Sequence, residues 1–243
     1  EISFCVFNNF ATLVGPGGAV VLRSASSKSA ILIQHVTFAN NIAHQSDTEE
    51  GEGGALYVSS VVSMIISDST FDRNLAARGG AIYLESGSTG LGISMLQLSR
   101  VEASGNKATQ MGGTVYMDSS TVMSIDDCSI IMSQALEGSI IYAQSGGLTV
   151  LKSRMESSVA LDQGGIMCVS SRISIVNSTL YNNSGSAVSG IRCEMEFQGC
   201  TLKNNGGQIG GAVQITGVGA SGKFTRVLFR GNTATGNSDN VSN

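Results

Sequence analysis

Asp126 and Asp127 are the only adjacent acids inside a strand-like run of this 243-residue chain, and a pair of carboxylates is what glycosidic cleavage requires. Side chains of neighbouring strand residues point to opposite faces, so these two cannot flank one bond. Arg100 and Lys152 occupy the position of Asp127 in the flanking repeats described below, and an ion pair between repeats is the structural alternative. His35 and His44 have no cysteine or histidine at ligand spacing, so no zinc site is expected. The stretch from Asp47 to Glu52 also carries Glu49 and Glu50, a cluster of oxygens that could hold calcium. It lacks the ordered Asp, Asn and Gly spacing of a calcium loop, so a solvated insertion is the preferred reading and no cofactor is expected. Sequons at Asn177, Asn182 and Asn240 are candidate glycosylation sites.

These residues are set in a repeat. A glycine pair followed by a small residue and an aliphatic, aromatic, aliphatic run appears as GGAVVL at Gly17, GGALYV at Gly53, GGAIYL at Gly79 and GGTVYM at Gly112. It persists in weaker form at Gly138, Gly164, Val188 and Gly210, giving a basic unit of about 26 residues with insertions. Upstream of the glycine pairs, an apolar residue precedes Asn by three positions: Phe38 and Asn41, Phe71 and Asn74, Ala103 and Asn106, Leu180 and Asn183, Leu202 and Asn205, Phe229 and Asn232. Alternating runs such as ISMLQL at Ile93 and LTVLKS at Leu148 lie between the two signatures, and a period of two reads as strand. Three short strands per unit, with nothing helical between them, leave one economical arrangement. The chain winds as a coil, each coil pairing in parallel with the next about 4.8 Å away. The expected fold is all-β, a right-handed parallel β-helix of about eight to nine coils, with 1–243 as a single domain.

Equivalent residues of a coil stack in columns. Asn41, Asn74, Asn106, Asn183, Asn205 and Asn232 form a ladder in which each amide meets the amides above and below at a tight bend. Phe38 and Phe71 stack on the inward face. Tyr57, Tyr83, Tyr116 and Tyr142 share a column whose flanking aliphatics face inward, which places the tyrosines outward as a candidate interaction stripe for sugar rings or a neighbouring rod. The alternative is a ladder that stabilises its own sheet. Asn177 falls in the column of Asp68, Asp127 and Lys152, which is expected to be exposed. The five cysteines are an odd count. Cys5, Cys128 and Cys200 share an inward column, coils apart, so Cys193 with Cys200 is the one plausible disulfide, weighed against simple buried thiols.

Apolar residues make up 42% and charged residues 13%, too apolar and too weakly charged for a disordered chain. A net charge of −4 with no basic stripe argues against a nucleic-acid partner. No apolar run approaches the length of a membrane span. The first residue is Glu1, with no signal-like segment, so a processed or partial chain is expected.

The paired GGA[IVL] and FxxN motifs, from Phe7 to Asn232, resemble the repeats of polymorphic outer membrane proteins, the autotransported surface adhesins of chlamydiae. The resemblance implies a β-helical passenger at the cell surface or outside the cell, and adhesion as a family activity. The family's translocating barrel has no counterpart in these residues, so the chain is expected to be part of a longer chain or assembly. A β-helix leaves unpaired strands at its ends, and no amphipathic cap is visible at either. The first functional expectation is therefore a non-enzymatic structural module of a filament or surface layer, self-associating end to end or side to side. An adhesin binding a glycan or receptor comes second, and a polysaccharide lyase or glycosidase third.

Overall fold

A computed structural model describes residues 1–13, 15–23, 30–44, 51–59, 61, 63–85, 95–119 and 121–236. They form nine coils, because two of the sheets contain nine strands each and every recorded pairing between coils is parallel. The third coil shows the plan. Its strands are Ser63–Ser67, Thr70–Asp72, Leu75–Arg78 and Ile82–Glu85. Four strands per coil, not three, is a correction to the sequence reading. The extra strand carries no hydrophobic alternation, because its buried residues are alanines, such as Ala76, Ala77, Ala108, Ala135 and Ala160.

Alternation is clearest in the first sheet. Its second and fourth residues turn inward, as in Met64 and Ile66, Leu96 and Leu98, Met123 and Ile125, all buried. The second sheet contributes one inward residue per coil, and Phe7, Phe38 and Phe71 stack there with ring centres 5.1 and 4.9 Å apart. Burying a phenylalanine this fully stabilises by roughly 1.5–3 kcal/mol. The corners between sheets are made by single residues in the left-handed region. One column of them runs His35, Asp68, Arg100, Asp127, Lys152, Asn177 and Gly199, all with φ between 48° and 63° except Lys152 at 46°.

The glycine pairs turn the chain from the third strand into the fourth. Gly79 has φ 62°, and a Cβ on Gly80 would overlap the carbonyl oxygen of Gly113 in the next coil and stand 2.5 Å from that of Lys107. The coil is pinched here, backbone against backbone, which only glycine allows. The third sheet also slips register at Ala76/Arg78, and again further along between Lys107 and Met111. Such bulges bend the strand and re-aim the residues at its end.

Candidate functional site

The tyrosine column is in register: Tyr57 pairs with Tyr83, Tyr83 with Tyr116, and Tyr116 with Tyr142. Successive rings stack 5.6, 4.9 and 5.3 Å apart within 6° of parallel. The rings lie outside the main core, in a second cluster with Met167. They are not an exposed stripe, however, since their exposures are only 3, 4, 4 and 8%. This corrects the expectation of an outward-facing interaction surface. The ends of the bulged third strands close over them: the Arg78 guanidinium sits 5.4 Å from the Tyr83 ring and 5.5 Å from Tyr116, and Met111 packs against the cluster. Arg23 covers Tyr57 at 5.3 Å, and the Tyr57 hydroxyl donates to Glu85 at 2.5 Å. The clue in the sequence was the arginine directly before Gly79, whose reach is invisible to a period-two reading.

Burial is the largest cause that raises all four hydroxyls above their ordinary value of 10, and Tyr142, with Glu137 nearby, is pushed up to about 12. The proton is thus held more tightly in the folded chain than in the unfolded one. Stability is unaffected below pH 10 and is lost as pH rises from there through the folded-state values. Alkaline titration should therefore show tyrosinate absorbance of these four groups rising together with loss of the β-sheet circular dichroism signal. Gradual ionisation of a chain that stays folded would contradict the buried column.

The asparagines bond coil to coil. Asn74 Nδ2 donates to the Phe38 carbonyl and to Asn106 Oδ1, both at 3.0 Å, while its own Oδ1 accepts from the Asn41 backbone N–H and Nδ2. Asn183, Asn205 and Asn232 repeat the pattern further along. Ser158 stands in for asparagine between them, its hydroxyl accepting the Ser133 N–H at 3.2 Å. A parallel column does the same at another corner, where Cys128 Sγ accepts from the Val101 N–H and Ser153 Oγ from that of Cys128.

The cysteines pair differently from expectation. Cys193 is joined to Cys168, one coil back with Cα atoms 6.5 Å apart, while Cys200 is a buried free thiol, as is Cys128. The reason lies at Gly190, which is the register partner of Cys168. Having no side chain, it leaves the space that Cys193 and Met195 occupy, and a Cβ there would stand 3.2 Å from Cys193 Cβ. Because Cys200 turns into its own corner column, it accepts no partner from Cys193. Burial pushes the Cys128 thiol up to about 11 and also raises Cys200, so both are poor nucleophiles at neutral pH. Alkylation and peptide mapping of the folded protein should find 168 linked to 193 and leave Cys128 and Cys200 unmodified. The disulfide closes a 25-residue separation, so its reduction should lower stability by about 3 kcal/mol.

Asp126 and Asp127 diverge: Asp126 ends a strand, while Asp127 forms the left-handed corner that follows. Arg100 pairs with Asp68, through Nε at 2.6 Å and Nη2 at 2.8 Å, and not with Asp127, which corrects the expected ion pair. That pair holds the Asp68 carboxyl below its usual range. Asp47, Glu49 and Glu50 lie outside the described residues, and Glu52 is in an ion pair with Arg78 at 2.5 Å. Among the described residues no group of three or more His, Cys, Asp and Glu side chains converges on a metal position. Asn177 and Asn182 occupy successive left-handed corners of one coil and are exposed, whereas Asn240 lies outside the described residues. Among the described residues no helix is long and apolar enough to cross a membrane.

Nine stacked coils, with in-register columns and single-residue corners, define a parallel β-helix solenoid. The model of the right-handed β-helix region matches residues 66–234, and that of the Chlamydia polymorphic membrane protein repeat matches residues 35–59. The chain belongs to the right-handed β-helix family, and its similarity over residues 35–59 to the Chlamydia polymorphic membrane protein repeat points to the cell surface. Neither the curated proteins nor the solved structures contain a significant match.

Proposed function

We propose that the chain is a non-catalytic structural rod at the cell surface, a self-associating module of a filament or surface layer. One observation carries this reading: whole columns of chemistry-bearing side chains bond coil to coil. The asparagine amides join successive coils, the tyrosines stack along the axis, and the ion pairs Asp68–Arg100, Arg172–Glu194 and Glu196–Lys223 all bridge adjacent coils. The last coil supports the self-association. Phe224 and Phe229, whose register partners Phe197 and Leu202 are fully buried, are 43 and 44% exposed in the last coil. Unpaired parallel strands with apolar side chains are templates for another coil. Glycans on Asn177 and Asn182 would project from one flank and leave both ends open.

Light scattering after chromatography, with electron microscopy of the same fraction of native material, tests this. Axial assemblies that lengthen with concentration are expected. A monodisperse monomer at every concentration would overturn it.

A further inference from the structure

The return from the fourth strand of one coil to the first strand of the next varies in length along the rod. Two residues make it at 145–146, 170–171 and 192–193, against four at 217–220 after them. These three tight corners form the floor of a groove of about 500 Å³, bounded by Thr121 at one end and Gly219 at the other. At a coil spacing of ~4.8 Å the floor runs roughly 10–15 Å along the axis, the length of two or three sugar rings.

Ser145, Ser170 and Arg192 take the left-handed corner, with φ 50°, 50° and 57°. Their N–H groups are bonded to the Val169, Ile191 and Thr216 carbonyls of the following coil at 2.8, 2.9 and 2.8 Å. Among the described residues, neither serine hydroxyl nor the Arg192 guanidinium has an intramolecular partner. The stem of Arg192 lies along Gly217, where a Cβ would stand 2.8 Å from Arg192 Cγ. One wall is the outer column Val122, Gly147, Arg172 and Glu194, in which Arg172 and Glu194 form an exposed ion pair. Two guanidinium groups and one carboxylate leave the groove cationic. The Cys168–Cys193 disulfide, next to Arg192 in the chain, ties this corner to the fourth strand of the preceding coil. Polar groups on a stapled floor are already ordered before a ligand arrives.

We infer that this corner groove binds a short acidic oligosaccharide, its anionic group on the Arg192 fork and its neighbouring hydroxyls on Ser145 and Ser170. A planar guanidinium matches a carboxylate or sulfate in bidentate fashion, and a row of free hydroxyls at coil spacing suits a chain of sugar rings. An acidic peptide fits less well, because the corner N–H groups are already bonded within the rod and offer no strand edge for it to pair with. A lone rod keeps this groove, so the inference stands whether or not rods stack.

Calorimetric titration of the full chain at low ionic strength tests it, with trigalacturonate, a sulfated heparin disaccharide and neutral maltotriose as the probes. At least one acidic sugar is expected to bind with Kd on the order of 1 mM, and maltotriose at least about tenfold more weakly. Arg192→Ala should weaken the acidic sugar about tenfold, whereas Arg226→Ala, at an exposed corner elsewhere, should not change it. Circular dichroism melts establish that both variants are folded. Preference between the two acidic probes assigns the anion. Equal binding of maltotriose, indistinguishable effects of the two arginine variants, or no binding of either acid would each overturn the inference.

Discussion

Gly80→Ala is expected to lower the stability of the rod by about 3 kcal/mol or more, enough to disrupt its central coils. The added methyl would overlap the Gly113 carbonyl oxygen and press on that of Lys107, and backbone atoms of a paired coil cannot rotate away as a side chain can. The same substitution at Gly147 is the internal control. A Cβ there meets only the Val122 side chain, at 3.7 Å, so stability should change by no more than about 0.5 kcal/mol. Urea melts followed by circular dichroism measure both. Equal effects at the two sites would refute the pinch as the reason for the glycine pairs.

Asn74→Leu should be comparably damaging for a different reason. Four hydrogen bonds converge on this buried amide, and leucine would leave the Asn41 N–H, the Phe38 carbonyl and two neighbouring amides without it. A buried polar group left unpaired costs about 1–3 kcal/mol, so a total near 4 kcal/mol or above is expected. Asn74→Ser should cost clearly less, because a hydroxyl in this column can accept the backbone N–H of the preceding coil, as Ser158 does for Ser133. Hydrogen exchange locates the damage: the Asn41 amide should lose protection in the leucine variant and largely keep it in the serine variant. Identical protection in both would mean that the column is packing and not bonding.

These two effects bear on function because a solenoid is stabilised chiefly by contacts between neighbouring coils. The asparagine and tyrosine columns are contacts of this kind, joining one coil to the next. Where the corners shorten, between Thr121 and Gly219, the same regularity exposes hydroxyls and a guanidinium on a rigid floor, the one place where binding is proposed.

Column membership was legible in the amino-acid sequence. Gly pairs, FxxN and alternation at period two define a repeat, and stacking repeats dictates that Asn41 meets Asn74 and that Phe38 meets Phe71. Such a period reports which residues are equivalent, and whether each faces the lumen. It does not report what lies across from a column. The tyrosines do face away from the lumen, yet only the bulged third strand brings Arg78 and Met111 over them. That strand itself was hidden because its buried residues are plain alanines. Cysteine pairing depended on the missing side chain of Gly190, a register neighbour 22 positions from Cys168 along the chain. The groove depended on differences in turn length between coils, which become a shape only once the coils are stacked. Local pattern determined the solenoid, whereas contacts between non-equivalent positions, which no repeat encodes, were decided by the tertiary structure alone.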